Sequence, residues 1–189
     1  MPTFTTPGPV AAVVQVAGAH VRITASERPD TVVLVEPISA TNRSHVKVAD
    51  RTKVDFAGGQ LSVRTTVPGD SRGSVAITIE LPAGSGLVVY LAHSDVHGVG
   101  TLGECELHLA KGRVRLDRID ALQANIAAGE VSVGHIAGSA TIVGSTLAVR
   151  IGEVPGAAAR ADAPHRRGQV RTVHAGTRHG DVTVRRAAS

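Results

Sequence analysis

Apolar and polar residues alternate over much of this chain, and in its second half the alternation recurs at a nearly fixed spacing. Val114, Val131 and Val149 align at a period of about 17 to 18 residues, and the apolar columns two and five positions further on keep the same period. Alternation with a period of two is typical of strands that bury one face. A short repeat of such strands predicts stacked β-coils with alternate residues inward and glycines at the corners.

The first third of the chain predicts strands separated by turn signals. The alternating segments are residues 11–16, 20–25, 31–35, 53–56, 61–65 and 74–81. Gly18-Ala19 is predicted to be a turn, and Ala57-Gly58-Gly59 is predicted to join a β-hairpin. Residues 44–50 predict one helical turn.

These patterns predict an all-β fold in a single domain over residues 1–189. We expect an antiparallel N-terminal β region over residues 8–86, continuing into a short single-stranded right-handed β-helix, or β-solenoid, over residues 87–156. Residues 157–189 break the period and are predicted to be degraded or irregular basic repeats. The length of 189 residues suits one domain.

Composition supports a core made of small aliphatic side chains. Aromatic residues are 2% of the chain, with no Trp, one Tyr and two Phe, whereas glycine occurs 21 times. Val, Thr and Gly favour strands and tight turns over helices. Stacked coils with a repetitive interior tolerate the scarcity of aromatic residues better than a conventional sandwich does.

The order and spacing of short motifs resemble the bacterial putative-adhesin family. The resemblance is carried by residues 74–85 and 103–105, by Gly129-Glu130-Val131, by Gly152-Glu153-Val154 and by Gly180-Asp181-Val182, and it covers most of residues 5–156. Leu147 departs from the pattern, since a Gly is expected there. The resemblance implies an N-terminal β region followed by Gly-Asp/Glu-Val repeats in a β-solenoid, and the family's name implies surface adhesion.

The net charge of +4 is concentrated near the C-terminus. A polyanion-binding role for this segment would use Arg160, Arg166, Arg167, Arg171, Arg178, Arg185 and Arg186. A solvated tail is the alternative interpretation. Nucleic acid is not predicted as a partner, because no aromatic residues are interleaved with the arginines to stack on bases.

No catalytic or cofactor motif is present in the sequence, and none is predicted. The carboxylates Asp117, Glu130 and Glu153 are expected to face outward in three different columns, which does not suit paired-carboxylate catalysis. His93, Asp95 and His97 share one face of a strand and are the candidates for a metal site, with ordinary surface residues as the alternative.

Two further groups of residues are predicted to be structural. The repeat alignment places Arg118, His135 and Glu153 in one column, as a ladder of cross-strand pairs, and it places Arg113 beside Glu130. Cys105 aligns with Leu122 in an apolar column, which predicts a buried thiol rather than a nucleophile served by His108.

The predicted function is that of a non-enzymatic β-solenoid scaffold or binding protein with an adhesin-like role. A carbohydrate-active or ligand-binding β-helix protein and a polyanion binder remain as alternatives. We expect a cytoplasmic location, since no signal peptide or transmembrane segment can be read. The expected partner is an unidentified protein or a second copy bound through the solenoid ends.

Overall fold

The computed structural model describes residues 2–65, 73–154, 173–179 and 182–186, and these are nearly all in strands of one ten-stranded sheet. The one helix among them is α1 (Arg43–Asp50). The strands are β1 (Thr3–Thr5), β2 (Ala11–Ser26), β3 (Asp30–Pro37), β4 (Thr52–Ala57), β5 (Gln60–Thr65), β6 (Val75–Pro82), β7 (Gly86–Ile136), β8 (Ala140–Val154), β9 (Val173–His179) and β10 (Val182–Arg186). The predicted all-β class is confirmed.

The antiparallel arrangement predicted for residues 8–86 is wrong for strand β2. It pairs in parallel with β5 and β6 and also with β7, so that Ala11 lies beside both Gln60 and Gly86. Antiparallel pairing joins β1 to β3, β3 to β6 and β4 to β5. Alternation gives the buried face of a strand but not the direction of its neighbours, and the partners of β2 lie far along the chain.

The turn predicted at Gly18-Ala19 is wrong, because β2 runs through both residues. Gly18 pairs with His93 and Ala19 with Ser94, and both residues of β2 are buried. The Ala19 N–H donates to the Ser94 hydroxyl at 3.1 Å. Two successive buried residues shift the inward-facing positions of β2 by one, and the strand continues through them.

The features with strong local signals are confirmed. Helix α1 begins after Asn42, whose side chain accepts a hydrogen bond from the Ser44 N–H at 2.9 Å. Strands β4 and β5 form the predicted hairpin, and Gly58 and Gly59 at its turn have φ angles of 58° and 77°. Two successive residues at positive φ suit the tight turn that joins antiparallel strands.

Strand β7 contains 51 residues and contacts itself. Fully extended it would measure about 170 Å. Instead, a Cβ atom placed on Gly112 would overlap the carbonyl oxygen of Ser94, and one on Gly129 would overlap that of Gly112. Successive stretches of β7 therefore lie side by side.

Strand β8 continues this arrangement beside the end of β7. Their parallel register pairs Leu122 with Ala140 and Val131 with Val149, so that each residue lies beside the one that precedes it by one repeat period. Leu147 pairs with Gly129 and is buried. Strands β9 and β10 pair in parallel with β8.

One apolar core fills the space enclosed by these strands. Val48 of α1 is 1% exposed and belongs to the same core. The largest fully buried side chains are Ile23, Leu61, Ile77, Ile79, Leu81, Leu87, Leu102, Leu107, Ile119, Ile126, Ile136 and Ile142. Burial of each contributes roughly 1.5–3 kcal/mol. Because alternate residues pack inward, the residues between them face outward. On neighbouring strands these outward side chains lie beside one another.

Candidate functional site

An open groove with a volume of about 1000 Å³ lies beside the β4–β5 hairpin. Its apolar lining includes Val16, Leu91 and Leu109, and Val48 of α1 also reaches it. A set of outward side chains that we call the groove row supplies most of its polar lining. The groove row consists of Lys53, Arg64, Gln15, Tyr90, His108 and Asn125.

Strand pairing places the groove row in register. Lys53 pairs with Arg64, Arg64 with Gln15, and Gln15 with Tyr90. His108 lies one repeat period after Tyr90 and stacks on it, and Asn125 lies one period after His108. With neighbouring strands about 4.8 Å apart, the six side chains span roughly 24 Å.

The rings of Tyr90 and His108 form the centre of the row. Their centroids lie 4.8 Å apart and their planes differ by 4°. His108 Nε2 lies 2.7 Å from Glu106 Oε1, and this hydrogen bond fixes the orientation of the imidazole. Tyr90 is 41% exposed, so part of its surface is open to a ligand.

The charges on the hairpin side of the groove are poorly compensated. Lys53 and Arg64 are exposed and lie directly opposite each other, and neither forms an ion pair with any residue in the described ranges. Asp55 also lines the groove and pairs with Ser62 rather than with either cation. Like charges directly opposite on antiparallel strands are destabilising.

A second outward row has the opposite character, and we call it the charge ladder. It consists of His20, Asp95, Arg113 and Glu130, joined by Arg150, whose backbone pairs with Ser132 rather than with Glu130. Arg113 donates two hydrogen bonds to Asp95, at 3.3 and 3.1 Å, and Arg150 donates to Glu130 at 2.9 Å. His20 pairs with Asp95, and Glu130 acts electrostatically on Arg113.

The charge ladder shifts the ionisation of its members. Hydrogen bonds from Arg113 hold the pKa of Asp95 below its ordinary value, although partial burial opposes this effect. The same hydrogen bonds raise the pKa of Arg113. Opposite charges thus stabilise one another along this row.

The candidate metal residues do not come together as a metal site. His93 and His97 are exposed, and Asp95 is engaged by Arg113 in the charge ladder. Within the described ranges, no three His, Cys, Asp or Glu side chains are placed to hold a metal ion. His93 and His97 each lie two positions from Asp95 along the strand. Arg113 is hydrogen bonded to the Asp95 carboxylate between them.

The predicted column of Arg118, His135 and Glu153 is described only in part. His135 pairs with Glu153 through the backbone and Arg118 is exposed, while the side chain of Glu153 is outside the described part of the structure.

Asp117 accepts a hydrogen bond from the Gly100 N–H at 3.4 Å, and Glu130 belongs to the charge ladder.

Most of the candidate polyanion-binding residues fall outside the described residues. These are Arg160, Arg166, Arg167 and Arg171. The backbone of Arg178 lies in β9 and the backbones of Arg185 and Arg186 lie in β10, but their side chains are not described.

Cys105 is 3% exposed and lies in the core. Burial raises the pKa of its thiol to about 12, with a smaller contribution from Asp120. His108 points to the groove and is hydrogen bonded to Glu106. The position is that of an inert structural thiol.

Sequence reasoning missed the groove row. Tyr90, His108, Asn125 and Val143 follow one another at intervals of 17 to 18 residues, so the sequence alone could have predicted their alignment. Lys53 and Arg64 carried no such signal, because they reach the row through the hairpin and the parallel pairing of β5 with β2.

No helix among the described residues has both the length and the apolar character needed to cross a membrane.

Comparison with known proteins gives similarity to solved structures only. No family model matches the chain, and no curated protein matches it. A structure described as a putative cell adhesion protein from Clostridium sporogenes is 11% identical, with 98% of each chain covered and a TM-score of 0.37. A putative lipid binding protein from Parabacteroides distasonis is 11% identical, with 99% of this chain and 96% of that chain covered and a TM-score of 0.33.

A putative adhesin from Bacteroides fragilis is also 11% identical, with 98% of this chain and 95% of that chain covered and a TM-score of 0.29. Two of these three structures are thus described as adhesion proteins. At these TM-scores the likeness does not establish a shared function.

Proposed function

We propose that this chain is a non-enzymatic β-solenoid binding protein with an adhesin-like role, related to the putative-adhesin family, and that the groove row is its binding surface. The observation that carries the proposal is the register of six outward side chains along an open groove of about 1000 Å³.

Parallel contacts at a nearly constant interval support the solenoid. Gly112 lies against Ser94, Gly129 against Gly112, and Val149 beside Val131. The two members of each pair are one repeat period apart in the sequence. Stacked coils would bring residues at this interval side by side and would place alternate residues in one apolar core.

The chemistry of the groove row supports binding rather than catalysis. Its side chains offer two stacked rings, two amides and two cations, which are groups that recognise polar ligands. Among the described residues that line the groove, Asp55 is the one carboxylate, and paired-carboxylate catalysis needs two.

An adhesion assay tests this proposal. Beads coated with the protein would be presented with arrayed neutral and acidic glycans, matrix proteins and lipid vesicles. We expect retention on at least one of these surfaces, reduced at least about tenfold by Tyr90→Ala, since truncation of a partly exposed aromatic anchor typically removes about 1–2 kcal/mol or more.

Val99→Ala is the matched control, because Val99 is an exposed apolar residue, 44% exposed, that does not line the groove. Retention on none of the surfaces, or equal retention by both variants, would contradict the proposal. Progressive release of a cleaved product from any bound glycan would contradict its non-enzymatic part.

A further inference from the structure

The geometry points to an acidic saccharide as the ligand of the groove, with Lys53 and Arg64 binding its carboxylate. This inference rests on the proposed function and adds the chemical class of the ligand. The groove would take a chain of hydroxyl-bearing units that carries at least one carboxylate, as uronate and sialate oligosaccharides do.

The placement of Lys53 and Arg64 identifies the charge of the ligand. The two cations face each other across the β4–β5 pair at the side of the groove, at a cost to the stability of the hairpin. A carboxylate between them would turn repulsion into two charge-assisted hydrogen bonds, and the guanidinium of Arg64 can bind both carboxylate oxygens.

The remaining polar groups identify the ligand as a saccharide rather than a simple anion. Asp55, Gln15 and Asn125 line the same groove, and their oxygen and amide groups can accept from and donate to hydroxyl groups. Asp55 repels a dianionic phosphate more strongly than a monoanionic carboxylate, and it can accept a hydrogen bond from a sugar hydroxyl. The length of the row, roughly 24 Å, suits an oligomer.

The fluorescence of Tyr90 can report on ligand binding in the groove. Tyr90 is the one tyrosine and there is no tryptophan, so intrinsic ultraviolet fluorescence reports on the centre of the groove row. The full chain would be titrated with a panel of oligogalacturonates and sialylated oligosaccharides. The same saccharides with methyl-esterified carboxylates would serve as uncharged counterparts.

The variant that removes the two cations is Lys53→Gln/Arg64→Gln. Its matched control, Arg22→Gln/Arg115→Gln, removes the same charge from exposed positions that do not line the groove. Both residues of the test variant are exposed and unpaired within the described part of the chain, so we expect it to fold with at least the thermal stability of the natural chain.

We expect an acidic saccharide to change the tyrosine fluorescence, and we expect the groove variant to raise its Kd at least about tenfold, since hydrogen bonds to charged groups are worth about 1.5–3 kcal/mol. The control variant and the natural chain should bind alike. Esterified saccharides should bind at least about tenfold more weakly than the free acids.

The inference would be overturned by equal binding of acids and esters, by a response to inorganic phosphate alone, by equal effects of the two double variants, or by no response to any acidic saccharide. Binding of a neutral saccharide that depends on Tyr90 would overturn this inference and leave the proposed function standing. Absence of any ligand in the adhesion assay would remove the proposed function as well.

Discussion

The charge ladder and the groove row cross the same central strands but use their charges in opposite ways. In the ladder, Asp95 is held by Arg113 and Glu130 by Arg150. In the groove row, Lys53 faces Arg64, and neither forms an ion pair with a described residue. Both rows lie on the parallel pairing of β2 with β7, so the choice of side chain decides whether a row stabilises the sheet or is available to a ligand.

Substitution of Gly112 by Ala should have the largest effect, because it disturbs both rows at once. An added Cβ would overlap the Ser94 carbonyl oxygen and push adjacent strands apart. We expect the free energy of unfolding to fall by roughly 2–4 kcal/mol, measured by denaturant titration. Gly8→Ala is the control, since a Cβ there meets no atom within 4 Å, and an equal loss in both variants would contradict close contact at Gly112.

Substitution of Asp95 by Asn should have a smaller, pH-dependent effect that is confined to the charge ladder. The folded pKa of Asp95 lies below its ordinary value, so its contribution is present above about pH 4 and disappears as the pH falls through the folded pKa. We expect a loss of about 0.2–1 kcal/mol at pH 7, measured by thermal or urea unfolding.

That loss should shrink in about 1 M NaCl, since screening weakens exposed ion pairs. A loss that persists unchanged at pH 2 would show that packing, rather than the charge of Asp95, is responsible.

Substitution of Lys53 by Gln should have the smallest effect and the opposite sign. Removal of one of two facing cations relieves repulsion, so we expect the free energy of unfolding to rise by a few tenths of a kcal/mol. Arg22→Gln, at an exposed position outside the groove, should change it less. A loss of stability in Lys53→Gln comparable to that of Asp95→Asn would erase the distinction between the two rows.

The sequence predicted those features whose causes are local. The Gly58-Gly59 turn, the helical turn over residues 44–50 and the alternation that buries Ile77 and Ile79 each depend on a few adjacent residues. Gly18-Ala19 was predicted to be a turn because a Gly after an apolar segment usually ends it. Here β7 keeps the backbone of β2 paired at Gly18, and β6 pairs with β2 from Ala19 onward.

The groove could be predicted only in part. Tyr90 and His108 are separated by one repeat period, so the sequence contains their alignment. The position of Arg64 beside Gln15 depends on parallel pairing between distant parts of the chain, which no local pattern specifies. The metal hypothesis at His93, Asp95 and His97 considered one strand alone, whereas Arg113 on the neighbouring stretch binds the carboxylate.

A disulfide cross-link tests whether successive stretches of β7 lie side by side, as both rows require. Asp95→Cys/Arg113→Cys joins positions whose natural side chains are hydrogen bonded, whereas Asp95→Cys/Arg115→Cys shifts one partner two positions along the strand. The native Cys105 thiol, with a pKa of about 12, should not compete at pH 8. Under mild oxidation the first pair should form an intramolecular disulfide and the second should not, because a diagonal pair exceeds the usual Cα separation of about 7 Å. Failure of the first pair, or equal cross-linking of both, would contradict the stacked arrangement.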